Sequence, residues 1–116
     1  MQNNNQLKAG ELFDKSHCTQ DAYYEGKLLV IKPTSLIEEY RTSDFQLFYA
    51  TAGFGCDPNK LGTKVFGFFL KDDDECSFDR SKFFGVIDEK YIPEWAKEKL
   101  EEYNSLEVDD SMKGLT

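Results

Sequence analysis

Cys56 lies in a ten-residue connection, residues 53–62, that also holds three glycines and a proline. A cysteine acts as a nucleophile when a neighbouring base takes its proton. The single histidine, His17, belongs to a different and weakly patterned segment, and Asp57 beside the thiol would raise its pKa. We therefore expect a packed or surface cysteine, with a small enzyme or ligand-binding protein centred on Cys56 as an alternative.

Phosphate and zinc chemistry are suggested by residue types but not by their spacing. A phosphate-binding loop needs Gly-x-x-x-x-Gly-Lys-Ser/Thr followed by a helix, whereas Gly62 is followed by Thr63-Lys64 and a predicted strand. Zinc-ligand types occur in His17 and three cysteines, but no Cys-x-x-Cys or paired-histidine spacing joins them. We expect no catalytic residue, no metal and no cofactor.

The connection at residues 53–62 is longer than a β-hairpin requires, since two residues would join its flanking strands. Its three glycines predict special backbone dihedrals or a close approach to another segment. Loops held by rigid strands are where binding residues concentrate, so we predict a surface for another protein here. The predicted partner-binding residues are Phe54, Asp57, Asn59 and Lys60.

A second polar feature is an acidic run that follows the strand predicted at residues 63–70. It lacks the alternating ligands, central glycine and distal glutamate of an EF-hand, so a solvated turn is predicted. Asp79-Arg80 nearby is interpreted as a surface ion pair. If carboxylates act together on one face, the candidate acidic surface is Asp72, Asp73, Asp74, Glu75 and Asp79.

Five short runs rich in β-branched and aromatic residues predict the strands that would position these features. They lie at residues 27–32, 45–51, 63–70, 76–80 and 82–87. Gly67 within the third run indicates a bend, a bulge or close backbone packing. Neighbouring strands joined by turns predict an antiparallel meander. The expected fold is α+β: a curled, mainly antiparallel sheet or small partly open barrel of about five strands, with a C-terminal helix packed on it.

Helix signals are fewer than strand signals. Pro93 predicts a helix that runs to about Tyr103. Ser35 and Glu38 have capping-box spacing, which predicts a short helix near residues 36–40, and residues 7–15 have a weak amphipathic pattern. The predicted organisation is a weakly structured segment at residues 1–25, a single α+β domain at residues 26–104 and a mobile acidic tail at residues 105–116.

Composition narrows the class of protein. The net charge is −8, from 22 acidic and 14 basic side chains, which disfavours direct nucleic-acid binding because phosphates would be repelled. No apolar run is long enough for a membrane span, and the polar first residues are unlike a secretory signal. Three cysteines, Cys18, Cys56 and Cys76, are an odd number at wide spacings, whereas a secreted disulfide framework normally has an even count. We expect a cytoplasmic protein with free thiols and no membrane contact.

The order of features between Leu29 and about Leu100 resembles a small uncharacterised domain found in conjugative transposons and prophages of gram-positive gut bacteria. The residues that carry the resemblance are Ile31-Lys32-Pro33, Leu36, Glu39-Tyr40-Arg41-Thr42, Leu47, Ala50-Thr51, Gly53-Phe54-Gly55-Cys56, Pro58, Gly62, Val65-Phe66-Gly67, Leu70, Arg80, Phe83, Gly85-Val86-Ile87 and Ile92 to Leu100. It implies an accessory protein of a mobile element and implies no catalytic residues. Residues 1–25 lie outside it.

The sequence therefore predicts a non-enzymatic protein-interaction module with a protein partner. An alternative is an acidic inhibitor that mimics DNA towards a host nuclease or defence effector, of the anti-CRISPR type.

Overall fold

The computed structural model describes residues 7–115, and the side chains of residues 7–105. Within these residues five strands and one α-helix form the domain, and short 3₁₀ turns lie in the other connections but not between the third and fourth strands. The strands are β1 (Leu28–Ile31), β2 (Leu47–Ala52), β3 (Lys64–Phe69), β4 (Glu75–Asp79) and β5 (Phe83–Val86), and the helix is α1 (Glu94–Leu115). All five predicted strands are confirmed, with small shifts at their ends.

A single antiparallel sheet has the strand order β4-β3-β2-β1-β5. The first four strands form a meander, and β5 then adds beside β1. A register shift in β2 between Ala50 and Ala52 lies opposite Gly67 of β3. A β-carbon at Gly67 would collide with the carbonyl oxygen of Tyr49. The bulge and the close backbone packing predicted at Gly67 therefore occur together.

The sheet is strongly curled, because its two edge strands are consecutive in the chain. In a flat sheet β4 and β5 would lie about 19 Å apart across four strand spacings. Only a single 3₁₀ turn, Arg80–Lys82, joins them, and such a turn advances about 6 Å. The rings of Phe78 in β4 and Phe83 in β5 consequently meet, with centroids 5.8 Å apart. This confirms the predicted α+β fold: a curled, partly open antiparallel sheet with a C-terminal helix.

Both faces of the sheet are covered by apolar side chains, which explains why all four residues of β1 are buried. The inner face of the curl is filled by Leu29, Ile31, Phe48, Val65, Phe69 and Phe83, among others. The outer face packs against α1 through Leu28, Val30, Leu47, Trp95, Ala96 and Leu100. Each fully buried Leu, Ile or Phe stabilises the fold by about 1.5–3 kcal/mol.

The segment before β1 packs on the sheet to an extent that the sequence pattern did not predict. Phe13 is 3% exposed and joins the outer core. The buried Gln46 side chain bonds to both backbone groups of Phe13, at 2.8 and 3.0 Å, and donates to the Ile31 carbonyl at 2.9 Å. Cys18 then forms an antiparallel bridge with Ile87. Residues 1–6 of the predicted weakly structured segment lie outside the described residues.

The predicted helix near residues 36–40 is wrong. Two 3₁₀ turns, Pro33–Ser35 and Glu38–Tyr40, stand there, and neither is capped by a side chain. The chain is extended at Leu36 between the two turns, because this side chain is buried in the inner core. A continuous helix through residues 36–40 would have moved the Leu36 side chain out of the inner core.

The other two helix predictions also need correction. Residues 7–15 hold no helix beyond the 3₁₀ turn Lys15–His17, which Asp14 caps through the Ser16 N–H at 2.9 Å. Helix α1 runs to Leu115, well past the end predicted near Tyr103, since no glycine or proline interrupts it before Gly114. The mobility predicted for residues 105–116 stays a prediction, and the side chains of residues 106–116 lie outside the described part.

Candidate functional site

The connection at residues 53–62 folds back onto β3. It begins with a 3₁₀ turn, Phe54–Cys56, whose N-cap Gly53 has φ of +109°, a conformation that L side chains rarely adopt. A β-carbon at Gly53 would also collide with the carbonyl oxygen of Lys64. Gly62 packs against the Phe54 side chain at the far end of the connection. The glycines thus serve close packing of the loop on the sheet, as the sequence predicted.

Arg80 fixes the loop to the rest of the domain. Its Nη1 donates to the Gly55 carbonyl and its Nη2 to the Ala22 carbonyl, each at 2.6 Å. The guanidinium also lies over the ring of Tyr24, 4.0 Å from the centroid. One side chain therefore joins the loop, the N-terminal segment and the β4–β5 turn through charge-assisted bonds.

The predicted surface ion pair between Asp79 and Arg80 is wrong. Asp79 instead accepts hydrogen bonds from the hydroxyls of Thr63 at 2.7 Å and Ser81 at 3.1 Å. These bonds, that of Thr63 first, lower the pKa of the Asp79 carboxyl below its ordinary value. Arg80 is thereby left to bind backbone carbonyls.

Four large apolar side chains stand exposed around the fixed loop. They are Tyr23, Phe54, Leu61 and Phe66, which we call the loop surface, with exposed fractions of 50%, 64%, 102% and 48%. Asn59 Nδ2 donates to the Tyr23 hydroxyl at 3.1 Å, and the Lys60 ammonium lies 5.8 Å from the Phe54 ring centroid. Isolated exposed apolar residues are ordinary, whereas several that stand around one loop are typical of a site of contact with another molecule.

The structure places three of the predicted partner-binding residues, Phe54, Asn59 and Lys60, at exposed positions of this surface. Asp57 is half-buried and accepts the Asn59 N–H at 2.8 Å, which shapes the turn of the loop. Their role in binding stays a prediction. Sequence reasoning did not single out Leu61, although an apolar residue between Lys60 and Gly62 in a polar connection is the signal that could have found it.

The geometry at Cys56 does not favour nucleophilic chemistry. The thiol is buried in the inner core and donates to the Ala52 carbonyl at 3.2 Å. Burial raises its pKa, nearby Glu25 adds to the rise, and Arg80 opposes it, so the thiol stays protonated at neutral pH. His17 lies elsewhere, with its ring against those of Phe13 and Tyr91.

The residues weighed as zinc ligands are spread over the fold. Cys18 and Cys76 are half-buried, and burial raises the pKa of each to about 11. Within the side chains described, residues 7–105, no three His, Cys, Asp or Glu are grouped so that they could hold a metal ion.

The predicted acidic surface follows the edge of the sheet. Asp72, Asp73, Asp74 and Glu75 are exposed at the β3–β4 turn, where Asp73 pairs with Lys99 of α1 at 3.1 Å. Asp79 ends β4, about 13 Å further along that strand. The five carboxylates therefore form a line along one strand and its preceding turn, and Lys99 compensates one of them.

A cleft of about 340 Å³ separates the N-terminal segment from the start of α1. Phe13, Asp44, Lys90 and Trp95 are among the residues that line it, and no cysteine does so. No residue of the loop surface lines it, so the cleft lends no support to the alternative centred on Cys56.

No protein-family model matches the chain, and no curated protein or solved structure matches it either. The resemblance to a mobile-element domain therefore stays a prediction. Among the helices formed by the described residues, none combines the length and apolar character needed to cross a membrane.

Proposed function

We propose that this domain is a protein-interaction module that contacts its partner through the loop surface. The observation that carries the proposal is the exposure of four large apolar side chains at and beside a fixed loop: Phe54 and Leu61 lie in the loop, Tyr23 in the N-terminal segment and Phe66 in β3. Aromatic residues dominate the binding energy of protein interfaces, where they fill pockets of the partner. A mobile loop would pack its apolar side chains against the domain. In this loop the backbone is fixed by Arg80, and the side chains of Phe54 and Leu61 stay exposed.

Preorganisation supports the same function. Arg80 joins the loop to Ala22, and the Tyr24 N–H donates to the Cys56 carbonyl at 2.9 Å. Ordering a loop during association costs affinity, so a loop that is already ordered binds more tightly for the same contacts. The conformational entropy of this loop is lost when the domain folds, before the domain encounters a partner.

The test is photo-crosslinking from position 60, an exposed position beside the loop surface, in a lysate of the source cells, combined with two matched double variants. Phe54→Ser with Leu61→Ser removes two side chains of the loop surface. Leu12→Ser with Ile37→Ser removes two exposed apolar side chains elsewhere. We expect a protein captured by the unsubstituted domain to be retained by the second variant and lost, by about tenfold or more, from the first.

Equal capture by both double variants would overturn the proposal, as would crosslinks with no recurring protein. Unfolding curves of the two variants serve as the control, because exposed positions outside the core change stability by less than about 0.5 kcal/mol.

Association with a mobile element extends this proposal and rests on the sequence resemblance alone. The acidic DNA mimic has weaker support, since its five candidate carboxylates follow only one strand and the preceding turn, and Lys99 pairs with one of them, Asp73, at 3.1 Å. An enzyme centred on Cys56 has the least support, because its thiol is buried and protonated.

A further inference from the structure

Strand β4 has hydrogen-bonding groups on its outer side that face no other strand. It ends the sheet, and among the described strands it pairs with β3 alone. The Phe69 N–H donates to the Asp74 carbonyl at 3.0 Å, and the Arg80 N–H donates to the Thr63 carbonyl at 2.7 Å. Even-numbered residues of this segment therefore bond to β3, because hydrogen-bonded positions alternate in an antiparallel pair.

The same alternation turns the backbone groups of Glu75, Ser77 and Asp79 away from the sheet. Their side chains share the outer face, so the exposed edge is flanked by one carboxylate at each end. On the opposite face of β4, Cys76 and Phe78 are half-buried beside the inner core. An added strand would thus meet acidic groups on one face and apolar groups on the other.

A second copy of this chain is a poor occupant. In the antiparallel register that pairs the whole of β4 with itself, Ser77 faces Ser77 and Glu75 faces Asp79 of the other copy. Like charges directly opposite one another destabilise strand pairing. Charged side chains at a sheet edge commonly prevent self-association in this way.

Basic side chains on an added strand would attract the carboxylates of β4, whereas a second copy of β4 would repel them. Within the described residues Asp72, Asp74 and Glu75 take part in no salt bridge, and only Asp73 of the turn is paired, with Lys99. Asp79 forms no salt bridge among these residues either, although Lys64 lies directly opposite it in β3. We propose that β4 binds an extended basic segment of a partner protein as a sixth strand, with Lys or Arg facing Glu75 and Asp79 and apolar residues facing Cys76 and Phe78. Recognition by strand addition takes affinity from main-chain bonds and specificity from alternate side chains.

This inference does not rest on the loop surface. The charged edge residues, Glu75 and Asp79, differ from the loop-surface residues, although Ser77 lies opposite Phe66 in the sheet. The variant that tests the loop surface changes Phe54 and Leu61, which lie outside β3 and β4. Loss of the proposed loop contact would leave strand addition unchanged, and the converse also holds.

The test uses a synthetic peptide, Thr-Lys-Val-Thr-Val-Lys-Thr, whose two lysines have the spacing of Glu75 and Asp79, and its counterpart with Glu in place of Lys. Hydrogen exchange of the labelled domain is followed by NMR. The basic peptide should slow exchange at the amides of Glu75, Ser77 and Asp79, while those of Cys76 and Phe78 are protected already. The acidic peptide should have no effect.

Three variants separate strand addition from simple charge attraction. Ser77→Pro removes an outward N–H at an edge position that tolerates proline, and should abolish binding. Glu75→Gln with Asp79→Asn should weaken binding of the basic peptide about tenfold. Glu98→Gln with Glu101→Gln, on the exposed face of α1, removes the same charge and should change binding less than about twofold.

Binding without protection of the three outward amides would overturn the proposal. So would equal binding of the acidic peptide, or equal weakening by the two charge-neutralised variants. If Ser77→Pro fails to fold, the protection pattern and the charge-neutralised pair still decide the question.

Discussion

The loop surface satisfies its backbone within the molecule and turns apolar side chains outward, whereas the edge of β4 turns carboxylates and backbone groups outward. Arg80 binds two carbonyls behind the loop, and Gly53 lets the loop lie on Lys64. Among the described strands, β4 pairs with β3 alone. A long connection is thus fixed from several directions, while a regular strand is held from one side.

This difference shows that regular secondary structure and local rigidity are separate properties. Loops usually carry the more mobile and more variable parts of a domain. Here the loop depends on contacts that few substitutions can preserve, and the edge strand has positions that can change freely. Stability should therefore be lost more readily by changes behind the loop than by changes along the edge.

Gly53→Ala should have the largest effect. The substitution places a β-carbon at φ of +109° and against the Lys64 backbone, so we expect a loss of about 3 kcal/mol in the free energy of unfolding by urea. Gly26→Ala is the matched control, because Gly26 has φ of +76° but a β-carbon added there would meet no heavy atom within 4 Å. It should cost about 1 kcal/mol, and equal losses in the two variants would contradict close packing of the loop.

Arg80→Ala should have the next largest effect. It leaves the carbonyls of Gly55 and Ala22 without their charged donor and removes the contact with the Tyr24 ring. We expect a loss of about 2 kcal/mol in the free energy of unfolding, with faster amide exchange across residues 53–62.

Lys82→Ala is the control for Arg80, since its exposed side chain belongs to the same 3₁₀ turn. It should change the free energy of unfolding by less than about 0.5 kcal/mol. An Arg80→Ala domain as stable as the Lys82 variant would show that the loop is not fixed through the guanidinium, and the contrast with β4 would then fail.

Most of the sheet could be predicted because each strand has a local signal. Strand β3 combines β-branched and aromatic residues, and turn-forming residues bound it on both sides. The curl was likewise expected from the short spacing between successive strands. The helix predictions near residues 36–40 and 7–15 failed because burial of Leu36 and Phe13, each set by distant parts of the chain, overrode a local pattern.

The candidate site was predicted less completely than the fold. The glycines of residues 53–62 pointed to the loop, since glycine has few other reasons to cluster between strands. Arg80 was misinterpreted because its partners are backbone carbonyls, which carry no sequence signature and lie 25 and 58 residues away. Which residues of β4 turn their backbone groups outward depends on the pairing register with β3. The composition of the sequence does not contain that register.

The smallest predicted effect concerns the pKa values of two thiols, those of Cys76 in β4 and Cys56 in the loop. Burial raises the pKa of Cys76 in β4 to about 11, and that of Cys56 in the loop is also raised by burial. Because the folded pKa lies above the unfolded one, the thiol's contribution to stability is complete below its ordinary pKa and is lost as pH rises towards about 11. Urea unfolding measured across this range should show a shallower decline for Cys76→Ser than for the unsubstituted domain. Equal declines would mean that Cys76 titrates alike in the folded and unfolded states, which would contradict its packing beside the inner core.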